Sequence, residues 1–330
     1  MIRTGDTVKT RRHFLQWAGA AAAMAGSTQA FAAFPDKPIR LVVPYAAGGS
    51  ADVLGRSLAQ AMGAILGQTV YVDLKPGAGG NLGAEAVARS TPGDGYTVLF
   101  ASVSLSTAVS FTKLSFDPRK DLVPVAGVAT LPSLLLVSSK SPHRSVADLV
   151  KASKAGESLS FGSAGPTTGS HLFGELLKAS AGIDMVHVPF RGSGAAYPDL
   201  ISGRISTMFD VMGSAMGQVA GGLVRPIAVT SAQRSKLLPD VPTLSELGFA
   251  GFDVGTWFGL FVPVGTPADA RTRLEAAVLA AVKTPEVSER LASVLADPIP
   301  GPGAEFGRWY QADVERWAKL ARERQIVISN

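Results

Sequence analysis

Cysteine is absent from the 330-residue chain. That excludes a disulfide framework, a thiolate metal site, a thiol nucleophile and a lipid-anchoring cysteine. Histidine is scarce: His13, His143, His171 and His187 are the only four, too well spread for a zinc site. Charged residues make up only 17% of the chain against 46% apolar, so it can fill a large core and is not disordered. Beyond the N-terminus no apolar run is long enough to span a bilayer. The length exceeds one ordinary core and predicts two domains or lobes.

The net charge is +5, but residues 1–32 carry +3 of it through Arg3, Lys9, Arg11 and Arg12 against Asp6. The remaining chain is near +2, without the strong basic patch that nucleic acid demands, so no nucleic-acid partner is expected. The same residues read as an address. Arg11-Arg12-His13-Phe14-Leu15 precedes an Ala/Gly-rich apolar stretch from Trp17 to Ala25. Ala30-Phe31-Ala32 then supplies a small-x-small cleavage site. The paired arginines resemble a twin-arginine signal peptide over 1–32, which exports folded proteins. A soluble periplasmic protein, away from ATP and NADH, is the expectation. No cofactor is expected.

Past residue 32 the chain alternates strand and helix. Ile39–Val43, Val70–Val72 and Thr97–Ala101 read as strands. Between the first two, Leu54, Leu58, Met62 and Ile65 fall on one helical face, with Ser50 as N-cap and Gly67 as C′ stop. A second helix, about Leu82 to Arg89, stops at Thr91-Pro92-Gly93. Later come a helix opened by Ser145, and one begun by Thr266 as N-cap with Pro267 at N1. An amphipathic helix, about Glu305 to Arg324, closes the chain. Two wholly apolar runs, Leu134–Val137 and Trp257–Val262, sit where the chain would cross between lobes. The rhythm predicts an α/β protein with a mainly parallel, doubly wound sheet in each lobe.

Four glycine-rich turns carry the candidate chemistry: Ala46–Ser50, Gly77–Asn81, Gly162–Gly169 and Arg191–Ala195. Each follows an expected strand and opens an expected helix. Such turns lie at the carboxyl ends of strands, where open α/β sheets bind ligands. Helix starts present N–H groups without intrahelical partners, so glycine turns there form anion sites needing no cationic side chain.

Competing motifs are incomplete. The dinucleotide fingerprint begun by Gly77 and Gly79 meets Leu82 where its third glycine belongs. There is no phosphate-loop lysine motif, no G-x-S-x-G elbow and no HExxH zinc pair. His171 reads as a polar residue near the cleft rim rather than a catalytic base. Asp210, ending an apolar strand, reads equally as a cleft residue or a hydrogen-bonded structural carboxylate. Asp52 favours its own helix N-terminus. Trp257 and Phe258 read as core.

Several segments resemble one family. Phe34–Arg40, Val43–Asp52, Lys75–Gly83, Pro92–Thr97, Val188–Gly192, Leu238–Thr243 and Val262–Pro267 are similar, in order, to the tripartite tricarboxylate transporter receptors, the Bug-type solute-binding proteins. The resemblance implies a two-lobed periplasmic binding protein of type II-like fold, with a cleft between lobes. The lobes are placed at about 33–135 with 257–330, and at 136–256. It implies a monomer, not an enzyme, closing on a small carboxylate solute: a dicarboxylate, tricarboxylate, amino acid or aromatic acid. Membrane transporter subunits are the implied partners. By the same resemblance the ligand-binding residues are Tyr45, Ala47, Gly48, Gly49, Ser50, Gly79, Asn81, Ser102, Gly165, Thr168, Ser170 and Asp210. Val103–Ser106 and Val211–Gly213 depart from the family pattern beside the pocket, so the sequence does not choose the ligand. Two alternatives stand beside this reading. One is an exported enzyme, such as a hydrolase using Ser50 or His171. The other is a receptor that signals to a sensor instead of a permease.

Overall fold

The computed structural model describes residues 34–90, 93–293, 296–299, 301–323 and 325–326. The expected export signal at 1–32 lies outside them, as do Thr91, Pro92 and Arg324. The strands are β1 (Ile39–Val43), β2 (Val70–Leu74), β3 (Thr97–Ser102), β4 (Leu122–Leu131), β5 (Ser133–Ser138), β6 (Ser160–Ser163), β7 (Val186–Pro189), β8 (Thr207–Val211), β9 (Val224–Val229), β10 (Thr256–Pro263) and β11 (Asp297–Pro298). They form two sheets flanked by helices. One has the order β11-β4-β10-β3-β1-β2, the other β7-β6-β8-β5-β9. The chain passes from the first sheet to the second through Pro132 and returns between Val229 and Thr256. This is the two-lobed α/β fold that the alternation implies.

The sheets are mixed, which corrects the expectation of mainly parallel ones. β1 pairs in parallel with β2 and β3, and β6 with β7 and β8. Into each parallel block a strand from across the lobe boundary is inserted antiparallel. β10 lies between β3 and β4, and β5 between β8 and β9. A strand arriving directly from the other lobe has no crossover helix to reverse it, and a parallel pairing needs one. These two strands contain the apolar runs Leu134–Val137 and Trp257–Val262, and every residue in both is buried. Strands covered on both faces read as continuous apolar stretches.

The helices follow their patterns with three shifts. The first spans Ser50–Leu66 and buries Leu54, Leu58, Met62 and Leu66, while Ile65 is exposed. Leu66, not Ile65, continues the strict four-residue series. Its N-cap is Gly49, and Ser50 is already helical. Pro267, not Thr266, caps the helix Ala268–Ala281, and the Thr266 hydroxyl donates to the Pro263 carbonyl at 2.8 Å instead. Ser145 caps Val146–Lys154 as expected, accepting the Asp148 N–H at 3.2 Å.

The closing helix Gly303–Glu323 buries Phe306, Tyr310, Val314 and Trp317 on one face. Trp257, in β10, meets the rings of Phe306 and Tyr310 edge-on, and Trp317 stacks against Phe173 on the helix Gly169–Ala181. The core therefore continues across both sheets. Trp257 Nε1 donates to Asp313 Oδ2 at 2.8 Å, and Arg316 pairs with the other carboxylate oxygen at 2.6 Å. Asp313 is 4% exposed. Removing its carboxylate strands a buried indole N–H, which costs about 1–3 kcal/mol. We expect Asp313→Ala to lower unfolding free energy by about 2 kcal/mol, read from urea titrations followed by tryptophan fluorescence. An unchanged midpoint and slope would remove this contact from the stability argument.

Candidate functional site

Helices begin at all four glycine-rich turns, at Ser50, Asn81, Gly169 and Ser193. Their N-caps are Gly49, Gly80, Thr168 and Gly192, and none makes a side-chain capping bond. Elsewhere Ser145 and Asp117 do cap their helices. The four helix starts thus lack a side-chain capping oxygen, and the first holds the buried Asp52 carboxylate in its first turn.

The turns touch one another. The Tyr45 ring lies 3.2 Å from where a Cβ on Gly80 would stand, joining the first and second turns. A Cβ on Gly79 would stand 1.9 Å from the Pro166 carbonyl oxygen, joining the second turn to the third. A Cβ on Gly192 would lie 3.4 Å from Ala46 Cβ, joining the fourth to the first. Gly192 N–H donates to the Ala164 carbonyl at 3.1 Å, closing the ring between the fourth and third. The turns from both sheets therefore converge on one place. Tyr45, Gly79, Gly165 and Thr168 lie in this ring.

Local geometry sorts the expected site residues. The positive φ of the first turn falls at Gly48 (+83°), whereas Gly49 is extended at −82°. Gly48 N–H is given to Asp52 Oδ2 at 2.9 Å, and Asp52 also pairs with Arg56. Ser50 Oγ is buried with no hydrogen-bond partner. The second turn has four consecutive positive φ values: Gly77, Ala78, Gly79 and Gly80. Asn81 is buried at the start of its helix. Ser102 and Ser104 both hydrogen-bond the Tyr45 hydroxyl, whose pKa is raised above its ordinary value chiefly by burial. In the third turn Ser170 Oγ accepts the Ala164 N–H at 2.9 Å, and Thr168 Oγ1 donates to the Gly165 carbonyl at 2.7 Å. Asp210 is 4% exposed and accepts from Tyr197 and Ser214, each at 2.7 Å, and from Val211 N–H at 2.9 Å. Ser193 also bonds it, so Asp210 ties the fourth helix start to its sheet. Burial nevertheless pushes its carboxyl upward. Among the described residues, no group of three or more His, Asp or Glu is placed to hold a metal ion.

His171 corrects the sequence reading: it lies 1% exposed beneath the third turn, not at a rim. Its Nδ1 accepts the Thr167 N–H at 3.1 Å. Its ring stacks on His187, 3.6 Å between centroids. His187 Nε2 lies 2.6 Å from Ser163 Oγ, which also accepts the Gly165 N–H at 3.1 Å. One proton arrangement satisfies the chain: His187 Nε2–H donates to Ser163, and Ser163 O–H donates to the Gly165 carbonyl at 3.2 Å. His171, accepting at Nδ1, is neutral, and burial favours the neutral form of His187. Burial, reinforced by the neighbouring ring and Lys178, lowers His171 to about 3. Burial and Lys178 lower His187 to about 4. Glu175, 3.8 Å from His171, is paired to Lys178 at 2.9 Å. Nothing in the sequence announces this pair, because the two histidines come from different elements. Thr107 and Thr167 were missed likewise. Thr107 lies on the helix Ser104–Phe111, outside every glycine turn, and its hydroxyl donates to the Thr167 carbonyl at 2.8 Å.

The histidine pair sets a direction for acid sensitivity. Below pH 6.5 the unfolded chain binds protons at these positions and the folded one does not until about 4 and 3. Stability therefore falls as pH drops through that window. Asp210, its pKa raised in the fold, works in the opposite sense. Comparing His187→Gln with the parent isolates the imidazole. The variant's melting temperature should depend less steeply on pH between about 6.5 and 4. Parallel curves for parent and variant would refute the assignment.

Comparison with known proteins identifies the family. The tripartite tricarboxylate transporter family receptor model matches residues 54–326. Protein BugT of Bordetella pertussis (strain Tohama I) is 33% identical over 315 residues, 94% of each chain. The solved structure of R. palustris Rpa4515 with adipate superposes at a TM-score of 0.83 and 31% identity, covering 89% of this chain and 99% of that one. MatC from Rhodopseudomonas palustris, with bound malate, gives a TM-score of 0.83 at 32% identity, covering 87% and 99%. With the motifs matched in order and the same two-lobed fold, the chain belongs to the tripartite tricarboxylate transporter receptors, the Bug-type solute-binding family.

Proposed function

We propose that this protein is a periplasmic receptor, not an enzyme. It captures a small carboxylate solute between two lobes, about 33–135 with 257–330 and 136–256, and passes it to the membrane subunits of a tripartite transporter. The observation that carries this reading is the convergence of four uncapped helix starts from both sheets. Each positive helix end contributes roughly 0.3–2 kcal/mol to an anion. Two or three of them with direct hydrogen bonds reach micromolar affinity, on the order of 8 kcal/mol. Ser50 Oγ in the first turn and Thr167 Oγ1 in the third are buried and without a hydrogen-bond partner. Arg191, the one cation in the turns, is exposed. Malate and adipate, bound by two relatives, are dicarboxylates and are the first probes.

The hydrolase alternative lacks support in the geometry. No base hydrogen-bonds Ser50 Oγ. His171 Nδ1 is spent on the Thr167 N–H. Ser163 and His187 do form a serine–histidine contact, but Ser163 is 0% exposed and cannot meet a substrate.

Two measurements test the binding mode. On protein refolded to remove carried-over solute, a thermal-shift screen of malate, adipate, citrate, glutamate and benzoate should reveal a binder. At 100 times its dissociation constant it adds roughly 2.7 kcal/mol. No shift with any carboxylate would defeat the reading. In calorimetry with that binder, Gly49→Val should weaken binding at least about a hundredfold. Gly49 has an ordinary φ, and a Cβ added there meets only the Ala46 oxygen, at 3.9 Å. Arg191→Ala should cost under about tenfold. The reverse ranking would mean that an ion pair, not the backbone, holds the solute.

We also propose export by the twin-arginine route. Arg11 and Arg12 changed together to Lys should strand the precursor in the cytoplasm. Normal periplasmic accumulation of that double variant would exclude the route.

A further inference from the structure

The contacts between the two sheets' turns are made by the protein itself. The Thr107 hydroxyl lies 2.8 Å from the Thr167 carbonyl oxygen and 3.1 Å from the Ser104 carbonyl oxygen of its own helix. Both threonines are buried, at 0% and 1% exposure. Thr167 is held in the left-handed region, φ +60°, and its N–H is fixed by His171. Its carbonyl is therefore aimed from its own side, toward Thr107. Beside this bond Gly79, φ +67°, lies so close to Pro166 that a Cβ would stand 1.9 Å from the carbonyl oxygen and 2.6 Å from Thr167 Oγ1. Only a residue without a side chain allows this approach.

We propose that Thr107 and Gly79 are positioning residues that hold the lobes closed over the site, Thr107 by bonding the Thr167 carbonyl and Gly79 by seating Pro166. This rests on the reading of the site as a cleft that closes on a solute, but the latch itself requires no solute. Its chemistry suits a reversible catch. On opening, the Thr107 hydroxyl keeps the Ser104 carbonyl as acceptor, and the Thr167 carbonyl passes to water. No polar group is left buried and unmet, so release costs only an ordinary net hydrogen bond. Losing that bond shifts a closed-to-open ratio by roughly two- to tenfold. Gly79 acts differently: a methyl group there collides with backbone, which cannot step aside as a flexible side chain can.

The absence of cysteine makes the test clean. Gln60→Cys and Lys151→Cys place spin labels at exposed positions on the helices Ser50–Leu66 and Val146–Lys154, one in each lobe. Pulsed dipolar spectroscopy on refolded, solute-free protein then reads the distance distribution. The parent should show a closed population. Thr107→Val should lower the closed-to-open ratio about two- to tenfold, Thr107→Ser should restore it, and Gly79→Ala should abolish it. Circular dichroism verifies the fold of each variant, and Thr107→Ala repeats the hydroxyl deletion with a smaller side chain. The proposal falls if the parent is wholly open, if deleting the hydroxyl leaves the distribution unchanged, or if the serine variant behaves like the valine one. A carboxylate screen that fails would bear on the solute and leave this readout intact.

Discussion

Each lobe's sheet is completed by a strand that reaches it from the opposite side of a crossing, and the remaining architecture depends on that exchange. β5 and β10 are buried at every residue and hydrogen-bonded on both edges, so neither sheet is finished without its inserted strand. The crossings are themselves tied together. Thr230 N–H donates to the Ser133 carbonyl at 3.0 Å, and Thr230 Oγ1 accepts the Ser133 N–H at 3.0 Å. Val254 N–H reaches the Thr230 carbonyl at 3.3 Å. The parallel blocks on either side then present their carboxyl ends, with the glycine turns, toward a common cleft.

The candidate site is built mainly from backbone. With 17% charged residues the chain has few cations to spend, and the turns contain only Arg191. Side chains serve mainly to hold main chain in place. Asp52 fixes Gly48, Ser170 fixes Ala164, Thr168 and Ser163 fix Gly165, His171 fixes Thr167, and Asp210 fixes Val211. These bonds account for several of the polar side chains buried at the turns.

Much of the fold was legible in the sequence because its signals are local. The β1–helix–β2 alternation, the Ser145 cap and the two apolar runs declare themselves within a few residues. The direction of those runs did not, since an apolar stretch looks alike parallel or antiparallel; only the path of the chain decides. The glycine turns were legible as helix starts, and their mutual contacts became visible only in three dimensions. Leu66 in place of Ile65 was a one-position ambiguity that packing resolved. His171 was misplaced because its burial depends on stacking with His187, in a separate strand. Thr107 gave no signal, since a threonine inside a short helix is ordinary until its hydroxyl is found facing another lobe's carbonyl.

The exchange of strands also fixes an order of events during synthesis. The second sheet draws all its strands from Ser133–Val229, one continuous stretch, and can assemble as soon as that stretch has emerged from the ribosome. The first sheet cannot. Its slot between β3 and β4 waits for β10, which comes after every strand of the second sheet. A nascent chain therefore carries one completed sheet and one gapped sheet with exposed strand edges, a state prone to faulty pairing. The gap closes only when β10 has emerged and paired with both of its neighbours.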